Sequence, residues 1–156
     1  MRTTLTLLLT VSVLLPLPAL AEPPATPMDW NDKGIAWRAY EAGLSQAKKE
    51  KKPICLVFFT TWCPHCHNYS KVFADAKVVE LAKKFVMVRI DRDQARDLSK
   101  KYAPDGEYIP RTFFLTPDGE LRTELTTGAA QYRYFYDERD PKDLAGAMSR
   151  ALAGAR

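Results

Sequence analysis

Cys63 and Cys66 stand two residues apart in Trp62-Cys63-Pro64-His65-Cys66, directly after an apolar run, Ile54-Cys55-Leu56-Val57-Phe58-Phe59. A buried strand that opens into a Cys-x-x-Cys helix start is a redox arrangement. One thiolate attacks a disulfide, and a second thiol releases the mixed disulfide so formed. His67 follows the second cysteine, so the same residues also spell Cys-x-x-Cys-His, the attachment pattern of a c-type haem.

The spacing assigns different work to the two thiols. Cys63, at the mouth of a helix, has its negative charge favoured by unpaired N–H groups and by the helix dipole, so it is the attacking residue. Cys66 lies three residues on, on the same face and shielded by the helix, and resolves. Pro64 fits the first helical turn, where its missing donor does no harm. His65 places an N–H or a positive charge near the sulfur. Both effects favour the thiolate, hence the reduced form, and make the Cys63–Cys66 disulfide more oxidising. Trp62 reads as a flat wall beside the thiol. His67 reads as a surface residue of the helix.

Other readings of these residues are an inert disulfide, a haem site with His67 as axial ligand, and copper or zinc capture by Cys63, Cys66, His65 or His67. A c-type site normally sits in a small helical domain, whereas here a buried strand precedes the motif. No metal or cofactor is therefore expected.

A third cysteine, Cys55, is left over. If residues 54–60 are extended, it lies about 20 Å or more from the pair. A disulfide needs Cα atoms within about 7 Å. Cys55 is expected to be a buried free thiol that packs as a small hydrophobe.

Residues 1–21 have the form of an export signal. Arg2 supplies the positive start, Leu5 to Leu15 the apolar run, and Ala19-Leu20-Ala21 the small-x-small cleavage pattern after Pro16 and Pro18. Residues 22–29 form a proline-rich leader, and residues 30–156 one domain of ordinary size. These features imply a periplasmic or secreted protein with no stable membrane insertion after cleavage. The net charge of +4 is spread over scattered lysines mixed with acids. Such a surface lacks the concentrated patch that binds nucleic acid.

The elements that must hold the cysteines can be read in order. Gly34 to Trp37 has the character of a short first strand. Trp37, Tyr40, Leu44 and Ala47 recur at helical spacing, which predicts a helix over 38–50 that Pro53 stops. Ile54 to Phe59 is apolar on both faces, as in a central strand covered on both sides. The redox helix follows, with Tyr69, Val72 and Phe73 on its inner face. A second helix is predicted over 76–85, and a strand over 85–91. Asp91-Arg92-Asp93 reads as a solvated strand exit. Residues 94–103 are helix-compatible, and Ala103-Pro104-Asp105-Gly106 is a turn. Pro110 opens an apolar strand. Thr116 to Glu120 is a hairpin turn leading to a return strand, Leu121 to Thr126. Residues 127–139 are irregular and aromatic, and the aromatic run 132–136 reads first as edge packing and second as a substrate-facing surface. Asp140 caps a last helix whose first residue is Pro141.

This α/β order, with Cys-x-x-Cys at the end of the first core strand and Ile109-Pro110 opening a later one, resembles the thioredoxin fold over nearly all of residues 30–154. The resemblance implies a central mixed sheet flanked by helices. It also implies a cis proline at Pro110 against the reactive pair, with Ile109 binding substrate backbone. Pro64-His65 is similar to the dipeptide of the DsbA-type dithiol oxidases. Ser70 to Asp75, Ala103 to Arg111 and Tyr134-Phe135-Tyr136 resemble the anterior-gradient and endoplasmic-reticulum thioredoxin domains. Where thioredoxins carry a buried acid on the strand, this chain has Val57. No long helical insertion of the DsbA kind fits between residues 85 and 110. The implied activity is thiol–disulfide exchange with protein or small-molecule thiols and a redox partner protein. The competing class is a binding module of the same fold that holds a client or a metal.

Overall fold

Ile54–Phe59 (β1) is the middle strand of a three-stranded sheet. The structure, a computed structural model, describes residues 27–154. The expected signal, residues 1–21, and residues 22–26 of the leader lie outside them. β1 pairs in parallel with Val86–Asp91 (β2) and antiparallel with Arg111–Leu115 (β3). Its apolar residues serve both faces. Cys55 and Val57 join one core with Tyr69, Phe73, Phe114 and Tyr136, while Ile54, Leu56 and Phe58 join the other with Val88, Phe113 and Tyr134. Each large side chain buried in this way contributes about 1.5–3 kcal/mol. Cys55 is a fully buried free thiol facing Phe114 across the sheet, as its position in the apolar run implied.

The helices cover both faces. Tyr40–Glu50 (α1) lies over β2. Gly43 is needed there because a Cβ would run into the Val88 side chain. The helix starts two residues later than its periodicity suggested. Arg38 is held instead in a single parallel bridge to Val88, to which the expected first strand at 34–37 reduces. α1 stops when Lys51 adopts φ +53 and its N–H bonds the Ala47 carbonyl. Pro64–Val72 (α2) and Ala76–Ala82 (α3) follow β1, and Asp75 caps α3 through the N–H groups of Lys77 and Val78. After β2 come a 3₁₀ turn, Arg92–Gln94, and Arg96–Lys101 (α4). Pro141–Ala153 (α5) is capped by Asp140 as expected, and it buries Leu144, Ala147, Met148 and Ala151. No helix among the described residues is long and apolar enough to cross a membrane.

The return strand expected over 121–126 is corrected to one bridge, Leu115 to Leu121. The chain then turns inward, with the Leu125 N–H on the Arg122 carbonyl, while Arg122 reaches the Ala151 carbonyl at 2.7 Å. Leu125 is thereby delivered to the core, which a straight strand at the sheet edge would not do.

Arg111 opens β3 and is fully buried. Its guanidinium donates to the Tyr102 carbonyl at 3.0 Å, the Gly106 carbonyl at 2.7 Å and the Ser99 hydroxyl, and it lies 5.0 Å from the Phe58 ring centre. Burial pulls its pKa down to about 10, so it stays charged at neutral pH. The contacts tie the 99–106 segment to the base of β3 and fix the path of residues 107–110.

Two outcomes follow from this burial. Arg111→Ala leaves two carbonyls and a hydroxyl without their donor, and is expected to lower the unfolding free energy by on the order of 3 kcal/mol. An unchanged urea midpoint would show that the tether holds nothing. Burial also pushes the acid dissociation of Cys55, Tyr69 and Tyr136 upward. A group raised on folding contributes stability that is complete below its unfolded value and is lost as pH rises past it. Stability should therefore be level from neutral pH to about 8.5 and decline as the unfolded thiols and phenols ionise, above about pH 9. Urea titrations across that range check the sign.

Candidate active site

β1 and β2 run parallel, so both end on the same side of the sheet, and β3, being antiparallel, begins there. Phe58 pairs with Arg111, one residue before the end of β1's apolar run at Phe59. The peptide before β3, Ile109-Pro110, is thus brought against the helix that follows β1. That peptide is cis.

Cys63 occupies the N-cap of α2 with extended backbone, and Pro64 takes the first helical position. The Cys63 carbonyl accepts from the N–H groups of Cys66 and His67. The Cys63 thiol points to the Ile109 carbonyl, 3.9 Å away. Cys63 is 4% exposed and Cys66 0%, so both thiols are enclosed, Cys63 more so than an attacking thiol at a helix mouth suggests. Both are free thiols. Burial pushes the Cys66 thiol strongly upward, with the neighbouring Cys63 sulfur adding to it. The Thr60 backbone and the charge of Arg92 pull the other way.

Acids distant in the chain hold the groups beside Cys63. His65 Nδ1 lies 2.8 Å from Glu138 Oε2, and Asn68 donates to the other Glu138 oxygen at 3.0 Å. The imidazole packs edge-on against Phe135, 5.8 Å between ring centres. Trp62 is 61% exposed, and its indole N–H donates to Asp93 at 2.7 Å. Arg92 lies 5.6 Å over the same indole. The Trp62 N–H, followed by Arg92, holds the Asp93 carboxyl below its usual range. The segment Asp91-Arg92-Asp93 is therefore part of the site's wall as well as a strand exit.

The structure brings Cys63, Cys66, Pro64, His65, Trp62, Ile109 and Pro110 to one end of the sheet. His67 turns its Nε2 back to the Thr61 carbonyl at 2.9 Å. Val57 is buried in β1 opposite Thr112 and Arg89, with no acid in its place. No cluster of three or more metal-ligating side chains occurs among the described residues. Glu138, Asp93, Arg92 and Tyr108 were not singled out from the sequence as site residues, whereas Tyr132 lies in the aromatic run whose second reading is a substrate-facing role. For Asp93, a paired acid at a strand's C-terminal end was the available signal. For Glu138, 73 residues from its partner, there was none.

A family model described as thioredoxin-like matches residues 36–117. The human anterior gradient protein 2 homolog is 32% identical over 124 residues, covering 79% of this chain and 69% of the relative. The crystal structure of a disulphide isomerase from Xylella fastidiosa Temecula1 superposes with a TM-score of 0.57 at 25% identity, covering 89% of this chain and 99% of the other. A thioredoxin from Thermus thermophilus shares the fold with a TM-score of 0.62 at 19% identity, covering 78% and 90%. With its mixed sheet, its flanking helices and these similarities, the chain belongs to the thioredoxin-like family.

Proposed function

We propose that this chain is an exported thiol–disulfide oxidoreductase that exchanges disulfides with protein or small-molecule thiols through Cys63 and Cys66. The observation that carries this reading is the pair of free thiols at the start of α2, with the Cys63 thiol directed at the carbonyl of Ile109 and Cys66 fully buried three residues on. Similarity to a disulphide isomerase and to anterior gradient proteins supports an oxidoreductase-type function. Export rests on the signal-like residues 1–21, and a periplasmic or secreted location follows from it.

In the reducing direction the Cys63 thiolate attacks one sulfur of a substrate disulfide. A Cys63–substrate disulfide forms, and the second substrate sulfur leaves as a thiolate. Cys66 then loses its proton and attacks the Cys63 sulfur. The Cys63–Cys66 disulfide forms, the first substrate thiol departs, and two electrons have passed to the substrate. Val57 supplies no relay acid, so the departing thiolate is the base suited to take the Cys66 proton. The oxidising direction is the reverse sequence. Which one runs depends on the partner that recharges the pair and on its potential. Pro64, His65, Trp62, Ile109 and Pro110 frame this chemistry. The first two tune the pair, and the last three shape the surface that meets the substrate.

Cys63→Ser should abolish both insulin reduction and dithiol oxidation. Retention of either by this variant excludes Cys63 as the attacking residue. Absence of both activities from the unaltered protein would leave the chain a holding module. Cys66→Ala should accumulate a mixed disulfide, visible as added mass on the intact protein, which identifies the substrate. His65→Ala removes a group that favours the thiolate, and is expected to lower the potential of the pair by about 30 mV, a tenfold change in the equilibrium with glutathione. An unmoved equilibrium would show that the imidazole, held by Glu138, leaves the sulfur unaffected.

A further inference from the structure

Beside the pair lies a cleft of about 540 Å³ walled by His65, Tyr108, Ile109, Ala129, Tyr132 and Phe135. We propose that this cleft is a side-chain subsite. It takes an aromatic or large aliphatic residue two positions from the reactive cysteine of an extended partner peptide. The proposal rests on the dithiol reading above and names the substrate class of that same site.

The walls are set before any ligand arrives. The Tyr108 hydroxyl donates to the Asp105 carboxylate and accepts from the Tyr134 N–H at 3.0 Å. Asp105 also takes the Arg133 N–H at 2.7 Å, and the Tyr134 carbonyl takes the Thr112 N–H of β3 at 2.9 Å. The aromatic loop is thus fastened to β3 and to Asp105 and Tyr108 immediately after Tyr132. Tyr132 itself has φ +53, a conformation rare for a bulky residue. Its ring is 58% exposed and stands edge-on to Tyr108, 4.9 Å between centres. An aromatic side chain held outward in a strained backbone is what a ligand clamp requires and what core packing does not. Among the described residues the exposed large hydrophobics are Trp62 and Tyr132. The first is occupied by Asp93 and Arg92 on the β2 side, whereas the Tyr132 ring is left facing the cleft.

The cleft is continuous with the exchange chemistry. A substrate sulfur must come to about 2.05 Å from the Cys63 sulfur. Ile109, whose carbonyl receives the Cys63 thiol, is also a wall of the cleft. In an extended chain the side chains two residues apart point the same way, about 6.6–6.8 Å apart. A cysteine seated at Cys63 therefore offers that neighbour to the aromatic walls. A carboxylate placed there would leave water for ring faces, close to Glu138 and Asp105.

The test uses peptides of one extended sequence, each carrying a single cysteine as a mixed disulfide with a chromophoric aryl thiol. The residue two positions away is Phe, Gly or Asp. Release of the aryl thiol by the reduced full chain is followed. Phe should react about tenfold faster than Gly, and Asp slowest. Tyr132→Gly suits the positive φ while removing the ring, and the ratio of Phe to Gly within this variant should fall towards one. Equal Phe and Gly rates in the unaltered protein overturn the subsite, as does a ratio that survives Tyr132→Gly. Oxidised glutathione, which has no such side chain, separates the two readings. If the reduced protein does not consume it and the oxidised protein does not form it from glutathione, the dithiol reading fails. If either exchange occurs while the peptides are not distinguished, only the subsite fails.

Discussion

Phe58 faces Arg111 across the antiparallel edge of β1, and this register decides what meets Cys63. Because side chains alternate along a strand, a slip of one residue would turn Arg111 and Phe113 to the opposite face and withdraw the Ile109-Pro110 peptide from α2. The register is held by burial. Phe113 and Leu115 join Ile54, Leu56 and Phe58 in one core, and Phe114 joins Cys55 and Val57 in the other. A slip would exchange the two sets. The redox pair is thus positioned by apolar packing in the sheet below it, and its own residues contribute little to that packing.

The buried guanidinium extends the same constraint outward. Arg111 has no carboxylate partner, and it donates to two carbonyls and a hydroxyl while lying between aromatic rings. A cation out of water is costly unless its donors are satisfied. Here Nη1 and Nη2 find acceptors because residues 99–106 close over the start of β3, while Nε has none among the described residues. Tyr108 and Ile109, which follow that segment, are therefore presented to Cys63 from a fixed base. The Asp105 carboxylate then binds Tyr108 and the Arg133 N–H, which couples the aromatic loop to the same base.

Around the sulfur the charges are arranged by contact between distant segments. His65 depends on Glu138, which precedes α5, and Trp62 on Asp93, which follows β2. Each pair fixes a ring within two residues of Cys63. Cys66 is fully buried, in a space that disfavours its thiolate.

Much of this was legible in the residues alone. The apolar run at 54–59 announces a strand buried on both faces, Pro64 and Asp140-Pro141 announce helix starts, and the paired cysteines announce the chemistry, because each signal is local: periodicity, a fixed φ or a capping oxygen. Helix ends shifted by a few residues, and the strands expected at 34–37 and 121–126 shrank to single bridges. In both places long-range demands, the bridge of Arg38 to Val88 and the inward turn of Leu125, outweighed local pattern. Glu138 beside His65, Arg111 under the loop and Tyr132 at the cleft were decided by the tertiary structure. Their partners lie 73, 5 to 12 and 24 residues away, and nothing in a linear pattern specifies which acid, carbonyl or ring the fold will bring to them.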